Sequence, residues 1–269
     1  MRATKFILFL LTIVSLESCM KSAYQVYEVK SPNLTNKDNS MIFENEDCKV
    51  LYNLWSEDGS MAFIFENKTD KDLFVDMTQT FFIKNGAAYD YFNNRTFETR
   101  TFSTLNYGYS TSATYFDKSG YWPKQYALYK KVVVGGALST GIQTKESEYI
   151  CIPANSFKVF SYYKVNPDFF SSCDKKINNP KTKVTLESYN ENNSPLKFKN
   201  RIAYSFEKSG ESLKHIENSF WLSEVRNYSY KEAIEKRKEK AECSGLVSTV
   251  NYFKIGGPNQ FYKTYTPGL

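Results

Sequence analysis

Histidine is nearly absent: His215 is the only one in 269 residues. A catalytic base of that type needs a nucleophile and an orienting carboxylate converging on it. On the polar side of an alternating segment, His215 reads as a solvated surface residue. No Cys-x-x-Cys spacing occurs, and with one histidine a zinc site lacks its ligands. Gly-x-Ser-x-Gly, Walker and dinucleotide-binding glycine patterns are also missing. Glycine (12) and proline (8) are too few for a collagen-like chain or long disordered tracts. No apolar run reaches the roughly 20 residues a spanning helix needs; Val132 to Ile142 is small and apolar but only eleven residues long. Charge of one sign is not concentrated anywhere. The 35 basic and 29 acidic side chains alternate along the chain for a net +6, which argues against a dedicated nucleic-acid surface.

Aromatic residues are abundant, with 21 Tyr and 21 Phe, and this favours strands over helices. Met61 to Phe92 organises the chain. Phe63 and Phe65 alternate with Ala62, Ile64 and Glu66, the period of a strand with one face on a core. Six polar residues, Asn67 to Asp72, stop the run as a turn. Leu73, Val75 and Met77 then share one face, and Thr80 to Lys84 continues as a bent or separate strand. Asn85-Gly86 is a hairpin signal, because a type I′ turn needs φ > 0 at both central residues; the next strand is Ala87 to Phe92.

Elsewhere, strands are expected near Met20–Lys30, Lys49–Trp55, Glu148–Ile152, Phe157–Val165, Lys183–Tyr189, Arg201–Glu207, Leu213–Arg226, Ser248–Ile255 and Gln260–Tyr265. Ser31 to Ser40 reads as a polar loop, and Pro153 to Ser156 as the bridge of a hairpin. Ser229-Tyr230-Lys231-Glu232 is a capping-box pattern and opens the one expected helix, to about Glu242. Residues 93–148 form a long aromatic-rich insert, whose length points to function, disorder or short hidden strands. There is no internal repeat. Ten or more short strands with regular turns indicate a sandwich or barrel.

At the N-terminus, Arg2 and Lys5 precede the apolar stretch Phe6–Leu16, a secretory pattern. Leu16-Glu17-Ser18-Cys19 resembles the bacterial lipoprotein signal, with Glu17 where a small residue is commoner. The resemblance implies removal of residues 1–18, diacylglycerol on the Cys19 thiol, and a mature domain 19–269. An ordinary secretory cut fits less well. Cutting after Ser18 or Ala23 would put Leu16 or Lys21 where that peptidase prefers a small residue. If Cys19 carries lipid, Cys48, Cys151, Cys173 and Cys243 remain for an oxidising compartment and allow three pairings. The preferred set is Cys48–Cys151 and Cys173–Cys243; four buried free thiols are the alternative.

The pattern of apolar strand, Asn-Lys-Thr-Asp turn, apolar strand, then an Ile-Pro hairpin, looks like the immunoglobulin-like domains of uncharacterised Gram-negative lipoproteins. It covers Lys49 to Val165. The expected fold is therefore mainly β: an immunoglobulin-like β-sandwich with the 93–148 insert and one helix in the C-terminal region. Candidate binding residues are Tyr107, Tyr109, Tyr115 and Tyr121 in the insert, since tyrosine faces stack on sugars or anchor peptides. The carboxylates Glu44, Glu46 and Asp47, and Asp70 and Asp72, could be hydrolase acids or calcium ligands, but turn-like runs are where solvated acids are expected. The expectation is a non-catalytic binding or scaffolding protein of the cell envelope. It would sit on the outer membrane through its lipid, with a protein or glycan partner, no nucleic acid, no metal and no cofactor. The alternatives are a surface carbohydrate-binding module, a subunit of a surface fibre or assembly, and a hydrolase with a non-obvious site.

Overall fold

The computed structural model describes residues 22–94, 96–102, 114–116, 123–125, 139–165, 185–208, 210–240 and 246–266. The strands are β1 (Ala23–Lys30), β2 (Thr35–Lys37), β3 (Ser40–Glu44), β4 (Cys48–Tyr52), β5 (Phe63–Asn67), β6 (Leu73–Lys84) and β7 (Ala87–Asp90). Within the insert lie β8 (Thr96–Phe102), β9 (Thr114–Phe116), β10 (Pro123–Gln125) and β11 (Ser139–Lys145). After it come β12 (Tyr149–Ile152), β13 (Phe157–Phe160), β14 (Thr185–Ser188), β15 (Lys197–Ser205) and β16 (Lys214–Ser229). The chain ends with helix α1 (Tyr230–Ala233), β17 (Ile234–Lys240), β18 (Val247–Phe253) and β19 (Gln260–Tyr265). The protein is mainly β, and its strand pairs are antiparallel.

Two sheets share one core. The larger runs β12-β6-β15-β16-β1-β19, with β14 also on β16 and β7 also on β6; the smaller runs β13-β5-β4-β3-β2. Tyr27, Phe198 and Phe220 from the first meet Tyr52, Phe63 and Phe65 from the second in one buried cluster. Phe63 stacks on Phe160 at 4.7 Å and Phe198 on Phe220 at 4.8 Å. Alternation is legible at Phe63 and Phe65, but Ile64 on the opposite face is buried too, with Ile42 and Leu51.

The Asn85-Gly86 hairpin forms as expected. Asn85 and Gly86 have φ of 47° and 86°, and Lys84 pairs directly with Ala87. Residues 73–84 are a single strand with a bulge: Ala203 faces Asp76 while Arg201 faces Phe81. The hydroxyl of Thr80 closes it, donating to the Asp76 carbonyl at 2.6 Å and accepting from the Ala203 amide at 3.2 Å.

Three expectations are corrected. Residues 31–40 hold β2 and the start of β3, which the polar composition hid. Second, the turn at 67–72 and the expected hairpin bridge at 153–156 both join strands of different sheets, so 153–156 closes no hairpin. Each carries the chain across the core, from β5 to β6 and from β12 to β13. Asn67, buried, binds the two crossings together: its side-chain amide donates to the carbonyls of Lys71, Ile152 and Pro153, at 2.7, 3.0 and 3.1 Å. Third, the capping box at Ser229 and Glu232 is present, but α1 lasts four residues. Ile234 already has φ −119° and ψ 136°, and residues 234–240 pair with β18. Strand partners from 247–253 outweigh the good helix propensity of a Glu/Lys/Arg run, because so short a helix is marginal without tertiary packing.

The insert does contain strands. β8 pairs with β11 along its length, and β9 with β10. Among the described residues no helix is long and apolar enough to cross a membrane.

Candidate functional site

One polar chain runs through the core. Tyr91 donates to Asn200 Oδ1 at 3.0 Å. The Asn200 and Asn218 amides donate to the Tyr52 hydroxyl at 3.0 and 2.8 Å, and Asn33 donates to Asn218 Oδ1 at 3.3 Å. Burial raises the Tyr52 phenol well above its ordinary value despite those two donors. Tyr91, Asn200, Tyr52 and Asn218 are sealed from solvent, so this chain stiffens the sandwich and is not a site for ligands.

Of the carboxylates considered as hydrolase acids or calcium ligands, Glu44, Asp47 and Asp72 are engaged elsewhere. Glu44 pairs with Lys68 at 2.6 Å. Asp47 accepts from Lys214 at 2.6 Å and from the Tyr204 hydroxyl at 2.9 Å. Burial pushes the Asp47 carboxyl up, but those two donors outweigh it and hold it below the ordinary range. Asp72 accepts from the Ala154 amide at 3.2 Å. No group of three metal-binding side chains occurs among the described residues. His215 is exposed on β16 opposite Ala203.

The expected Cys48–Cys151 bridge is not made, and both thiols are free. Cys48 is buried at the start of β4, where its thiol donates to Asn45 Oδ1 at 3.3 Å and burial pushes it up to about 12. Cys151 lies on β12 in the other sheet, half-exposed, with its Sγ 3.8 Å from Asp72 Oδ2. The two sit on different sheets with different partners, which nothing in their flanking residues could reveal. Cys19, Cys173 and Cys243 lie outside the described residues, as do Tyr107, Tyr109 and Tyr121. Tyr115 is on β9 opposite Lys124.

What the fold assembles instead is an aromatic cluster at the end where β1 begins. Tyr24 of β1 meets Phe253 of β18 edge-on at 5.3 Å and Tyr262 of β19 at 5.9 Å. Tyr230 of α1 lies 6.4 Å from Tyr24. Trp55, in the loop after β4, stands 5.1 Å from both Phe253 and Tyr262. Gly256 covers part of the indole: at its φ of +127°, a Cβ would lie 2.6 Å from Trp55 Cε2. The loop is fixed by backbone bonds from Leu54 to Pro258, from Asp58 to Tyr262 and from Tyr262 to Ser56. Glu57 and Asp58 border the cluster. Asp58 pairs with Lys263 at 3.0 Å, and Glu57 accepts from the Thr264 amide at 3.3 Å. Burial, then Glu57, Tyr24 and Asp58, push the Tyr262 phenol up to about 12.

This cluster roots the β17–β18 ribbon. Ile234 and Phe253 pair at its base and pack with Tyr24 and Ala233, and Lys254 donates to the Ala233 carbonyl at 2.8 Å. Beyond the base, residues 236–240 and 247–249 are exposed. The ribbon spans about 20 Å at strand rise. The helical reading concealed it. The available signal was the alternation of Lys236, Lys238 and Lys240 with Glu235, Arg237 and Glu239. The root itself joins segments scattered from Tyr24 to Tyr262 and leaves no local signal.

Comparison with family models, with curated proteins and with solved structures found no match.

Proposed function

We propose that this is a lipid-anchored protein of the cell envelope, held at the outer membrane through Cys19, with a non-catalytic binding or scaffolding role. Its sandwich would be of the immunoglobulin-like kind. The observation that carries the reading is the Leu16-Glu17-Ser18-Cys19 box and its distance from the fold. Ala23, the first residue of β1, is buried and only four residues beyond Cys19. Four residues span at most about 14 Å. An acylated Cys19 would therefore hold the β1 end of the sandwich, with its tyrosines and Trp55, close to the headgroups. Such aromatic residues are favoured at that level.

The test is Cys19→Ser in cells. The parent should fractionate with membranes and carry the mass of acyl chains on Cys19; the variant should be released or accumulate unprocessed. A parent of unmodified mass, beginning at an unacylated Cys19 or at Tyr24, overturns the anchor.

The assembly-subunit alternative has one observation of its own. Among the described residues β13 ends the smaller sheet, and Phe157 and Val159 on it are 43% and 36% exposed. An apolar terminal strand of this kind suits strand addition by a partner. An oligomer ladder that crosslinks in the parent and disappears in Val159→Lys would favour it. The carbohydrate-binding alternative gains nothing from the Trp55 cluster, where Gly256, Phe253 and Tyr262 crowd the indole.

A further inference from the structure

The β17–β18 ribbon sorts its charge by face. Directly opposed residues of an antiparallel pair project to the same side. One face therefore holds Glu235 with Tyr252, Arg237 with Val250, and Glu239 with Ser248. Its charges are internally matched: Arg237 pairs with Glu235 and lies 4.9 Å over the Tyr252 ring, and the Tyr252 hydroxyl donates to Glu239. The other face holds Lys236 with Asn251, Lys238 with Thr249, and Lys240 with Val247, beyond the buried Ile234–Phe253 pair. All three lysines are exposed, and no acidic side chain shares their face within the paired residues. At the far end Leu246 and Val247 are 71% and 65% exposed, the two largest exposures among the ribbon's apolar residues.

We propose that the Lys236–Lys238–Lys240 face and the Leu246–Val247 end of this ribbon dock on an anionic lipid bilayer. The charge is complementary: three cations about 7 Å apart along a strand meet a surface of phosphate headgroups. The apolar end gives the choice of surface, because a bilayer offers hydrocarbon beneath its phosphates and a nucleic-acid backbone does not. A two-stranded ribbon is marginally stable alone in water, and contact with a surface would hold it. The choice of a membrane also rests on the anchored reading, since the ribbon springs from the end of the fold where β1 begins, four residues after Cys19 in the chain.

The experiment uses the full chain carrying Cys19→Ser, which cannot be acylated, in co-sedimentation with vesicles at low salt. Phosphatidylcholine vesicles read what residues 6–16 and the apolar Leu246–Val247 end contribute. The gain on adding phosphatidylglycerol reads the ribbon. Each lysine near an anionic leaflet is worth about fivefold in partitioning. The triple change Lys236→Gln, Lys238→Gln, Lys240→Gln should therefore lower the gain on the order of 100-fold. Leu246→Asp should lower binding to both vesicles, and Arg237→Gln on the matched face should leave the gain within about twofold. Absence of a gain in the parent overturns the proposal. So does a gain retained by the triple variant, or lost equally in Arg237→Gln. Binding to soluble heparin that needs the lysines, with no gain on phosphatidylglycerol, overturns it in favour of a soluble polyanion. Failure of the anchor is read separately, from the mass of Cys19 in the parent, so the two readings fall independently.

Discussion

Replacing Asn67 by alanine should unfasten both crossings between the sheets at once. The side chain donates to Lys71, Ile152 and Pro153, and its Oδ1 accepts from the Thr69 amide at 2.9 Å and hydroxyl at 2.8 Å. Some partners are covered twice. Pro153 O also accepts from Ser156, and Lys71 O from the Thr69 hydroxyl. The Ile152 carbonyl and the Thr69 amide depend most on Asn67. Each buried group left unsatisfied costs about 1–3 kcal/mol, and each shared bond lost about 0.5–1.5. The sum for Asn67→Ala is about 3–5 kcal/mol. With a urea m of about 3 kcal/mol/M, the denaturation midpoint should fall by about 1–1.7 M. Asn67→Asp should do worse, because it keeps the acceptor, loses the three donations and turns a negative oxygen toward three carbonyls. Thr69→Ala, which removes weaker local bonds, should cost about 1 kcal/mol. A shift under 0.3 M (about 1 kcal/mol) for Asn67→Ala, or an aspartate variant as stable as the parent, would refute the view that this amide ties the sheets together.

Alkali should destabilise the fold from about pH 9 upward. Cys48 is held protonated to about 12, whereas an unfolded thiol ionises near 8.5. Its contribution is complete below the unfolded value and is lost as pH rises toward 12, because the unfolded chain gives up a proton that the native chain keeps. Midpoints should fall between pH 9 and 11, less steeply in Cys48→Ala; burial also raises Tyr52, Tyr204 and Tyr91, so some slope remains. Cys151, whose thiol is raised by burial and by the Asp72 carboxylate, should alkylate faster at pH 8 in Asp72→Asn; an unchanged rate there would contradict the assigned cause. Gly256→Ala should drive a methyl into Trp55 at a backbone angle alanine resists, costing about 2–4 kcal/mol and shifting the indole fluorescence.

Local periodicity determined much of the strand inventory. Phe63 with Phe65, and Ile202 with Tyr204, show their core side by alternation, and Asn85-Gly86 names its turn, because side-chain direction and turn geometry are set within a few residues. The cap at Ser229 was equally legible, being a contact between residues three apart. The same sequence could not say which sheet a strand joins. The turns at 67–72 and 153–156 have hairpin composition, yet each crosses the core, since the choice depends on partners as distant as Asn67 and Ile152. Nor could it tell that Cys48 and Cys151 fall on different sheets, or that Ile234–Lys240 would abandon its helix for the strand at 247–253. The Trp55 cluster and the lysine face of the ribbon exist only once those long-range pairings are made. The energy that decides them comes from hydrogen bonds and buried area between residues far apart in the chain.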